Sequence, residues 1–292
     1  MIDTILNSRL SVSVSDYGAE LQSVQLDGAE RLWQGDPAVW GGRAPVLFPF
    51  VGRIKNGEYS YNGVTYPAPN AHGFASRSLF TLVEKTEDTL VYRLISSEET
   101  KKEYPFDFIF DVIYTVRENT LMQSFRVKNT GDDSMLYSFG AHPGFLVPPD
   151  GESQFSDWYL EFAEGQPPLK QAMLDGLFMS RRLEPCRFAQ GNRIPLYHEM
   201  FDDDAFILAE LGNKVFSLKN DKDGRKITVD CSDFAYLSFW QATGSGANFL
   251  CIEPWNGLPS DSQAPEDLDV KRDLRCLHKG ETDLCSVSFR FD

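Results

Sequence analysis

Residues 106–128 read FDFIFDVIYTVRENTLMQSFRVK, and this stretch indicates most clearly which fold the chain adopts. Apolar and polar side chains alternate through residues 106–114 and again through residues 121–128, with the period of two that a half-buried β-strand requires. Glu118-Asn119 lies between the two runs, where a turn is expected. The stretch therefore predicts two antiparallel strands joined by a short turn.

The same alternation recurs elsewhere in a chain that contains 22 Phe and 11 Tyr, residue types that favour strands. Two short runs, 59–61 and 64–66, flank Asn62-Gly63, the dipeptide that best suits the positive φ angles of a tight hairpin. Helix signals are few and short, so we expect an all-β protein. Further strands are predicted at residues 11–15, 158–162 and 286–291.

Nothing in the sequence divides the chain into parts. It has no Ser/Gly-rich or Pro-rich linker and no fixed-period repeat, so we expect a single domain over residues 1–292. Antiparallel sheets with this many strands either pack face to face or close into a barrel. We favour a large antiparallel β-sandwich.

The charge of the chain narrows the range of partners. Its 43 acidic residues outnumber its 28 Lys and Arg, which gives a formal net charge of −15. This charge would repel a phosphate backbone or an anionic membrane, so we expect no nucleic-acid or membrane partner. No stretch approaches the roughly 18 apolar residues that span a bilayer, and the first ten residues lack the apolar core of a signal peptide. We expect a cytoplasmic protein that is a monomer or a weak homodimer.

Common cofactor and metal motifs are missing from the sequence. The five cysteines are widely spread, with no Cys-x-x-Cys pair, and are predicted to be free thiols. There is no Gly-x-Gly-x-x-Gly fingerprint, no phosphate-binding loop, no Gly-x-Ser-x-Gly elbow and no His-Glu-x-x-His motif. Hydride transfer, ATP use and metalloprotease chemistry therefore lose support, and we expect neither a cofactor nor a metal.

Glu253 and His142 are the strongest candidates for chemistry. Glu253 follows the apolar run 249–252 and precedes a proline, where a buried strand would end, so its carboxylate could serve as a general base. A structural salt bridge or a cap on backbone amides fits the same position. His142 lies between a small residue and a proline and suits a general acid, although a core histidine bonded to a carbonyl fits as well. His72, before a glycine, has the same two interpretations.

The sequence also suggests side chains that could bind a ligand. Arg43 and Arg53 flank a short apolar run, and their forked donors suit hydroxyls, carboxylates or phosphates, whereas a lone surface arginine more often offsets acidic surface. Trp240 and Trp255 could stack on a sugar ring or simply belong to the core. In the acidic segment 201–206, one aspartate could bind a hydroxyl, while the others are expected to be solvated.

Five segments together resemble the aldose 1-epimerase (galactose mutarotase-like) superfamily, and most closely its LacX-like branch. Their order and spacing agree across nearly the whole chain. The segments are Leu47-Phe48-Pro49 with Gly52-Arg53, the hairpin that ends at Tyr66, His72-Gly73-Phe74, Gly140-Ala141-His142-Pro143-Gly144-Phe145, and Cys251-Ile252-Glu253-Pro254-Trp255-Asn256-Gly257.

This resemblance implies a sandwich whose concave face holds a sugar. By position, Glu253 corresponds to the general base, His142 to the general acid, His72 to a second active-site histidine and Arg53 to a sugar-binding arginine. Asp204 corresponds, less closely, to a substrate-binding aspartate. The implied activity is interconversion of the α and β anomers of an aldohexose such as galactose or glucose, with no cofactor. We expect the charge of Glu253 to raise the pKa of His142, provided that burial does not overcome this attraction.

One departure from the superfamily leaves the substrate open. Related sequences commonly have arginine directly after His-Gly-Phe-Ala, but Ser76 takes that place here and Arg77 comes one residue later. A hexose 6-phosphate is an alternative substrate if Arg43, Arg53 and Arg77 converge. A sugar-binding or sensing module without turnover is a further alternative, and a glycosidase is disfavoured because it would need a pair of carboxylates.

Overall fold

The computed structural model describes residues 1–149, 153–165, 168–222 and 224–292. Within these residues the chain forms 25 strands and five short 3₁₀ helices but no α-helix, which confirms the prediction of an all-β protein. The strands are β1 (Ile2–Leu6), β2 (Leu10–Ser15), β3 (Leu21–Leu26), β4 (Ala29–Glu30), β5 (Val46–Leu47), β6 (Glu58–Tyr61), β7 (Val64–Pro67), β8 (Thr81–Lys85), β9 (Thr89–Ile95), β10 (Phe108–Arg117), β11 (Thr120–Asn129), β12 (Met135–Tyr137), β13 (Phe139–Ala141), β14 (Gly144–Leu146), β15 (Trp158–Phe162), β16 (Lys170–Asp175), β17 (Phe178–Pro185), β18 (Arg193–Pro195), β19 (Phe206–Ala209), β20 (Val215–Asn220), β21 (Lys226–Asp230), β22 (Tyr236–Trp240), β23 (Phe249–Asn256), β24 (Arg275–Leu277) and β25 (Thr282–Phe291). The 3₁₀ helices are Lys55–Gly57, Ala75–Arg77, Thr100–Lys102, Phe155–Asp157 and His198–Phe201.

Two large antiparallel sheets make up most of the molecule. A nine-stranded sheet has the order β18-β15-β20-β21-β25-β11-β10-β9-β8. An eight-stranded sheet has the order β17-β16-β19-β22-β23-β13-β5, and β14 also pairs with β23. Smaller sheets are formed by β1 to β4, by β12 with β24 and by β6 with β7. This arrangement confirms the predicted antiparallel sandwich.

The strands predicted from alternation are present, with bounds that depend on their neighbours. β10 begins at Phe108 rather than at residue 106, because the adjacent β9 ends at Ile95, which pairs with Ile109. β10 and β11 continue to the turn because Arg117 pairs with Thr120. A strand persists for as long as a neighbour offers hydrogen bonds, which alternation alone does not reveal.

The predicted hairpin is also confirmed. β6 and β7 pair from Glu58 with Pro67 to Tyr61 with Val64. Asn62 and Gly63 between them have φ angles of 49° and 74°. Positive φ at both central residues is what this turn needs, so the local sequence alone determines it.

A continuous cluster of buried side chains, from Ile5 to Phe291, fills the space between the two large sheets. Aromatic rings cross this space at several points: Phe125 packs on Phe139 and Phe216 on Phe239, with ring centroids 5.5 and 5.7 Å apart. The eight-stranded sheet also has a second buried cluster on its other face, which includes Trp255. Both faces of this sheet are therefore partly covered, and the second face carries the candidate site.

All five cysteines are free, as predicted, and Cys276 is exposed while the other four are buried. Among the described residues, no helix is long and apolar enough to cross a membrane.

Asp111 on β10 is a buried charge in the middle of the nine-stranded sheet. Its side chain is 1% exposed and accepts hydrogen bonds from Arg93 at 2.7 and 2.9 Å and from Arg126 at 2.6 and 3.0 Å. Burial by itself would raise the pKa of Asp111, but the bonds from both arginines outweigh it and hold the pKa below the ordinary 3.8. Arg93, Asp111 and Arg126 thus form a triad that cross-links β9, β10 and β11.

Replacing Asp111→Ala should lower the free energy of unfolding by about 3 kcal/mol at neutral pH, because it leaves two arginines facing each other without their anion. The value lies at the low end for a broken buried pair because both guanidinium groups are partly exposed. Since the folded-state pKa lies below the unfolded one, the contribution is present above pH 3.8 and is lost as the pH falls through the folded pKa. Urea unfolding at neutral and acidic pH measures both effects.

The matched control is Asp132→Ala, which removes an ion pair with Lys279 whose side chains are 89% and 70% exposed. Water screens an ion pair this exposed, so its loss should leave the free energy of unfolding nearly unchanged. Equal losses for the two variants would contradict the role given to the triad.

Candidate active site

Glu253 lies on β23, a strand whose eight residues are all buried. Leu250 and Ile252 belong to the core between the large sheets. Because side chains alternate across a strand, Glu253 points to the opposite face of the eight-stranded sheet, together with Trp255. A carboxylate is thereby held in the middle of a sheet rather than at its edge.

His142 reaches Glu253 through the strand register. β13 ends just before His142 and β14 begins just after it, and both pair with β23 in one continuous register. This register puts His142 directly across from Glu253. The imidazole Nε2 lies 3.1 Å from the carboxylate Oε2.

Several polar atoms at this point have unused hydrogen-bonding capacity. His142 is 8% exposed and Glu253 is 1% exposed. Apart from their mutual contact, neither oxygen of Glu253, Nδ1 of His142 nor Nε1 of Trp255 has a partner at full hydrogen-bond geometry among the described residues, although the Trp255 indole lies near enough to the carboxylate to lower its pKa. Buried polar atoms without partners are rare because each costs free energy. Four of them together indicate a site for a polar ligand.

His72 is fixed beside this pair by the backbone of a neighbouring loop. Its Nδ1 accepts a hydrogen bond from the Gly52 amide at 3.1 Å, and its own amide donates to the Gly52 carbonyl at 2.8 Å. The ring packs edge-on against His142, with centroids 5.5 Å apart. Gly73 makes this approach possible, since a Cβ there would lie 2.3 Å from the carbonyl oxygen of Phe48.

A cavity of about 330 Å³ opens over these groups. It brings together six of the seven residues predicted as site residues from the sequence. Asp204 is held there by a 2.9 Å hydrogen bond from the Trp240 indole, and the exposed Arg53 lies at the rim. The lining residues are Trp40, Pro45, Gly52, Arg53, Ala71, His72, His142, Leu174, Leu177, Asp204, Ala205, Ile207, Trp240, Glu253, Trp255 and Pro259.

Trp40 is a site residue that sequence reasoning missed. Its ring stacks on His142, with centroids 5.3 Å apart, and meets Trp240 edge-on at 5.4 Å. Two glycines make room for the indole, because a Cβ at Gly42 or Gly144 would come within 2.9 Å of it. Gly144 lies in one of the quoted motifs, so the sequence did indicate that a neighbouring group needs space there. It did not indicate that this group is the indole of Trp40.

Arg43 does not join the cavity, contrary to expectation. Its guanidinium donates to the side-chain oxygen of Gln22, on β3, and its stem lies against Gly35. Arg77 is also turned away, because it donates to the Gly73 carbonyl at 2.6 Å. A long side chain goes where acceptors are available, so the spacing of arginines along the chain did not predict convergence.

The chain is similar in sequence and in fold to known proteins. Residues 3–266 match the family described as aldose 1-epimerase. The chain belongs to the aldose 1-epimerase family. It is 31% identical over 273 residues to the plasmid-encoded protein LacX of Lactococcus lactis, with 91% of each chain covered, which confirms the predicted branch.

Two solved structures show the same fold over the whole chain. One is a galactose mutarotase related enzyme from Lactobacillus acidophilus, 34% identical, with a TM-score of 0.93 and 100% and 97% of the two chains covered. The other is a galactose mutarotase-like protein from Lactobacillus casei, 30% identical, with a TM-score of 0.93 and both chains fully covered. The aldose 1-epimerase family consists of isomerases that act on sugars.

Burial controls the protonation of the three central groups in this family member. It raises the pKa of Glu253 well above its usual range, and the charge of Asp204 adds to the effect. It lowers the pKa of His142 to about 3, with a further contribution from His72. The pKa of His72 falls to about 4 through burial and the charge of Arg53. Burial thus outweighs the attraction that was expected to raise the pKa of His142, and it favours the neutral forms of these groups.

Both cavity histidines should therefore stay neutral from about pH 5 to pH 8, the range over which an ordinary histidine gains or loses its proton. Nitrogen-15 NMR of the imidazoles, assigned with His72→Asn and His142→Asn variants, measures this directly. For His72 the same spectra should show the proton on Nε2, because Nδ1 accepts from Gly52. Titration of His142 near its ordinary pKa of 6.5 in the ligand-free protein would contradict the dominance of burial.

Proposed function

We propose that this protein interconverts the α and β anomers of a free aldohexose by acid–base ring opening and closure. The observation that carries the proposal is the buried pair of His142 and Glu253, 3.1 Å apart at a cavity of about 330 Å³. A carboxyl group and an imidazole are the two side-chain types best suited to exchange protons near neutral pH. Family membership supports a sugar as the ligand.

The proposed reaction moves two protons and needs no cofactor. Glu253 takes the proton of the anomeric hydroxyl while His142 gives a proton to the ring oxygen, and the bond between the anomeric carbon and the ring oxygen breaks. Rotation about the bond between the first two carbons turns the other face of the aldehyde toward the hydroxyl that closes the ring. Closure returns both protons, so the pair ends each cycle as it began.

The neutral forms that burial favours are compatible with these roles. A carboxylic acid facing a neutral imidazole and a carboxylate facing an imidazolium hold the same number of protons. They differ by one proton transfer across the 3.1 Å contact between Glu253 and His142. Sugar hydroxyls that donate to the unpartnered oxygens of Glu253 would stabilise the charged form, because hydrogen bonds to a carboxylate lower its pKa. The bound sugar would thereby prepare the pair for its own reaction.

A free sugar suits the cavity better than a hexose 6-phosphate. Of the three arginines considered for a phosphate, only Arg53 lines the cavity, and the carboxylate of Asp204 lines it as well. With Glu253 neutral, a phosphate dianion would therefore meet one cation and one anion, whereas hydroxyls can bond to both signs of charge. The indoles of Trp40 and Trp240 offer apolar faces for the sugar ring.

Catalysis is also favoured over a binding or sensing role without turnover. A binding module gains nothing from a carboxyl group that is 1% exposed and has no hydrogen-bond partner besides the imidazole contact. Such a group destabilises the fold, and perturbed titratable groups in a cavity are typical of active sites. The free-energy cost of burying the Glu253 carboxyl group thus supports a chemical role for it.

Replacing Glu253→Gln or His142→Asn should each slow anomer exchange by about 10²–10⁴-fold, because each variant removes one proton-transfer group while preserving shape. Exchange between the anomers of glucose and of galactose, followed by NMR, is the measurement. His278→Asn is the matched control, because His278 contacts Ser134 on the surface and lies outside the cavity. Exchange that is equally fast in wild type and both cavity variants would contradict the proposal.

Arg53→Ala should raise the KM for the accepted sugar by about 10-fold or more, with a smaller change in kcat, because a hydrogen bond from a charged group contributes about 1.5–3 kcal/mol. Arg43→Ala is the control and should leave the KM near that of the wild type, because its guanidinium bonds to Gln22. Glucose 6-phosphate should be turned over more slowly than glucose. Faster turnover of the phosphate would overturn the choice of a free sugar.

A further inference from the structure

Cys251 brings a third metal-binding side chain to the pair of His142 and Glu253. A nitrogen of the imidazole, an oxygen of the carboxylate and the Cys251 Sγ all lie within 4.8 Å of one another, and all three residues are buried. Cys251 precedes Glu253 by two residues on β23, so both side chains leave the same face of the strand. The sugar reaction proposed above makes no use of the thiol.

The unpartnered atoms at this place supply a second, independent observation. Both oxygens of Glu253 are buried, and besides the contact of Oε2 with Nε2 of His142 they have no hydrogen-bond partner in the described part of the chain. A cation would use this free capacity. The strand register, rather than any sequence motif, assembles the three groups, which is why the spacing of cysteines and histidines along the chain gave no sign of it.

We propose that His142, Glu253 and Cys251 form a site for zinc or a similar thiophilic divalent cation, and that its occupation inhibits the reaction. The inhibitory part rests on the proposed function, because the cation would engage both the acid and the base. The fourth position of a tetrahedral ion would face the cavity and take a water molecule or a sugar hydroxyl. On binding, the thiol of Cys251 and the carboxyl of Glu253 each release a proton to solvent.

The ligand set selects this class of metal. One nitrogen, one oxygen and one sulfur ligand suit zinc, whereas magnesium and calcium prefer oxygen ligands only. Tetrahedral zinc with bonds of about 2.0–2.3 Å separates its ligand atoms by about 3.3–3.6 Å. The His142–Glu253 contact at 3.1 Å is already close to that separation, so the remaining adjustment falls mainly on Cys251.

Charge balance also favours a divalent cation. A thiolate and a carboxylate together carry two negative charges, so the loaded site would be neutral in a buried environment where unbalanced charge is costly. Protein-wide, the net charge of −15 attracts cations. A monovalent cation would leave a buried negative charge uncompensated.

The test uses the full chain with Cys276→Ala as the parent, because Cys276 is the exposed thiol and could bind metal by itself. Metal-free parent protein is titrated with zinc against a chromophoric indicator, and with cobalt, whose bond to a thiolate produces a charge-transfer absorption. We expect one zinc per chain and a thiolate–cobalt band. Adding Cys251→Ala should abolish the band and weaken zinc binding at least about 10-fold, since the loss of groups that merely support a metal ligand already costs about 10–100-fold.

Cys251→Ser serves as a second variant in case the alanine variant does not fold, and Cys285→Ser is the control for losing a buried thiol elsewhere. Anomer exchange by the parent should fall when zinc is added, recover with a chelator and be insensitive to magnesium. In the Cys251 variants, zinc should no longer inhibit.

The outcomes separate the two proposals. Zinc that inhibits the Cys251 variants as strongly as the parent, or a parent without a thiolate–cobalt band, overturns the metal site. Rapid anomer exchange that zinc does not affect leaves the proposed function standing and removes the inhibitory role. One bound zinc with the thiolate–cobalt band, in a protein that exchanges no sugar, supports the metal site and contradicts the proposed function.

Discussion

The contact between His142 and Glu253 depends on a carboxyl group that the fold keeps almost entirely from solvent. β23 has no exposed residue, yet it carries Glu253 in its middle, opposite the core residues Leu250 and Ile252. Burying such a group without full hydrogen bonding destabilises a protein, so the rest of the structure has to supply the compensating stability. The aromatic core between the two large sheets does so, on the face of the eight-stranded sheet opposite the site.

The same burial gives the site its chemical character. In water a glutamate and a histidine near neutral pH would both keep their ordinary pKa values, but here burial moves the pKa of the carboxyl up and that of the imidazole down. Both shifts favour the neutral forms, which leaves one mobile proton between two atoms 3.1 Å apart. Small changes in solvation or hydrogen bonding can then move that proton. The proposed ring opening depends on this proton transfer, and a bound cation would displace the same proton.

The two faces of the eight-stranded sheet have different roles, one in stability and the other in the candidate site. One face contributes Leu250, Ile252 and Phe239 to the core. The other bears the cavity, where glycine is needed at position 73 so that the loop carrying His72 can approach Phe48 within contact distance. Because side chains alternate along each strand, substitutions at neighbouring positions affect different properties: one residue changes packing and the next changes chemistry.

The sequence by itself determined the features that depend on local interactions. Alternation predicted the strands around residues 106–128, Asn62-Gly63 predicted the hairpin, and the motifs selected Glu253 and His142 as candidates; their roles remain proposals. Only the tertiary structure decided which groups meet. The register that places His142 across from Glu253 arises from pairing between strands more than 100 residues apart, and no period in the sequence encodes it. Trp40 and Arg43 show the same limit, because packing space and available acceptors, rather than position along the chain, determine where long side chains lie.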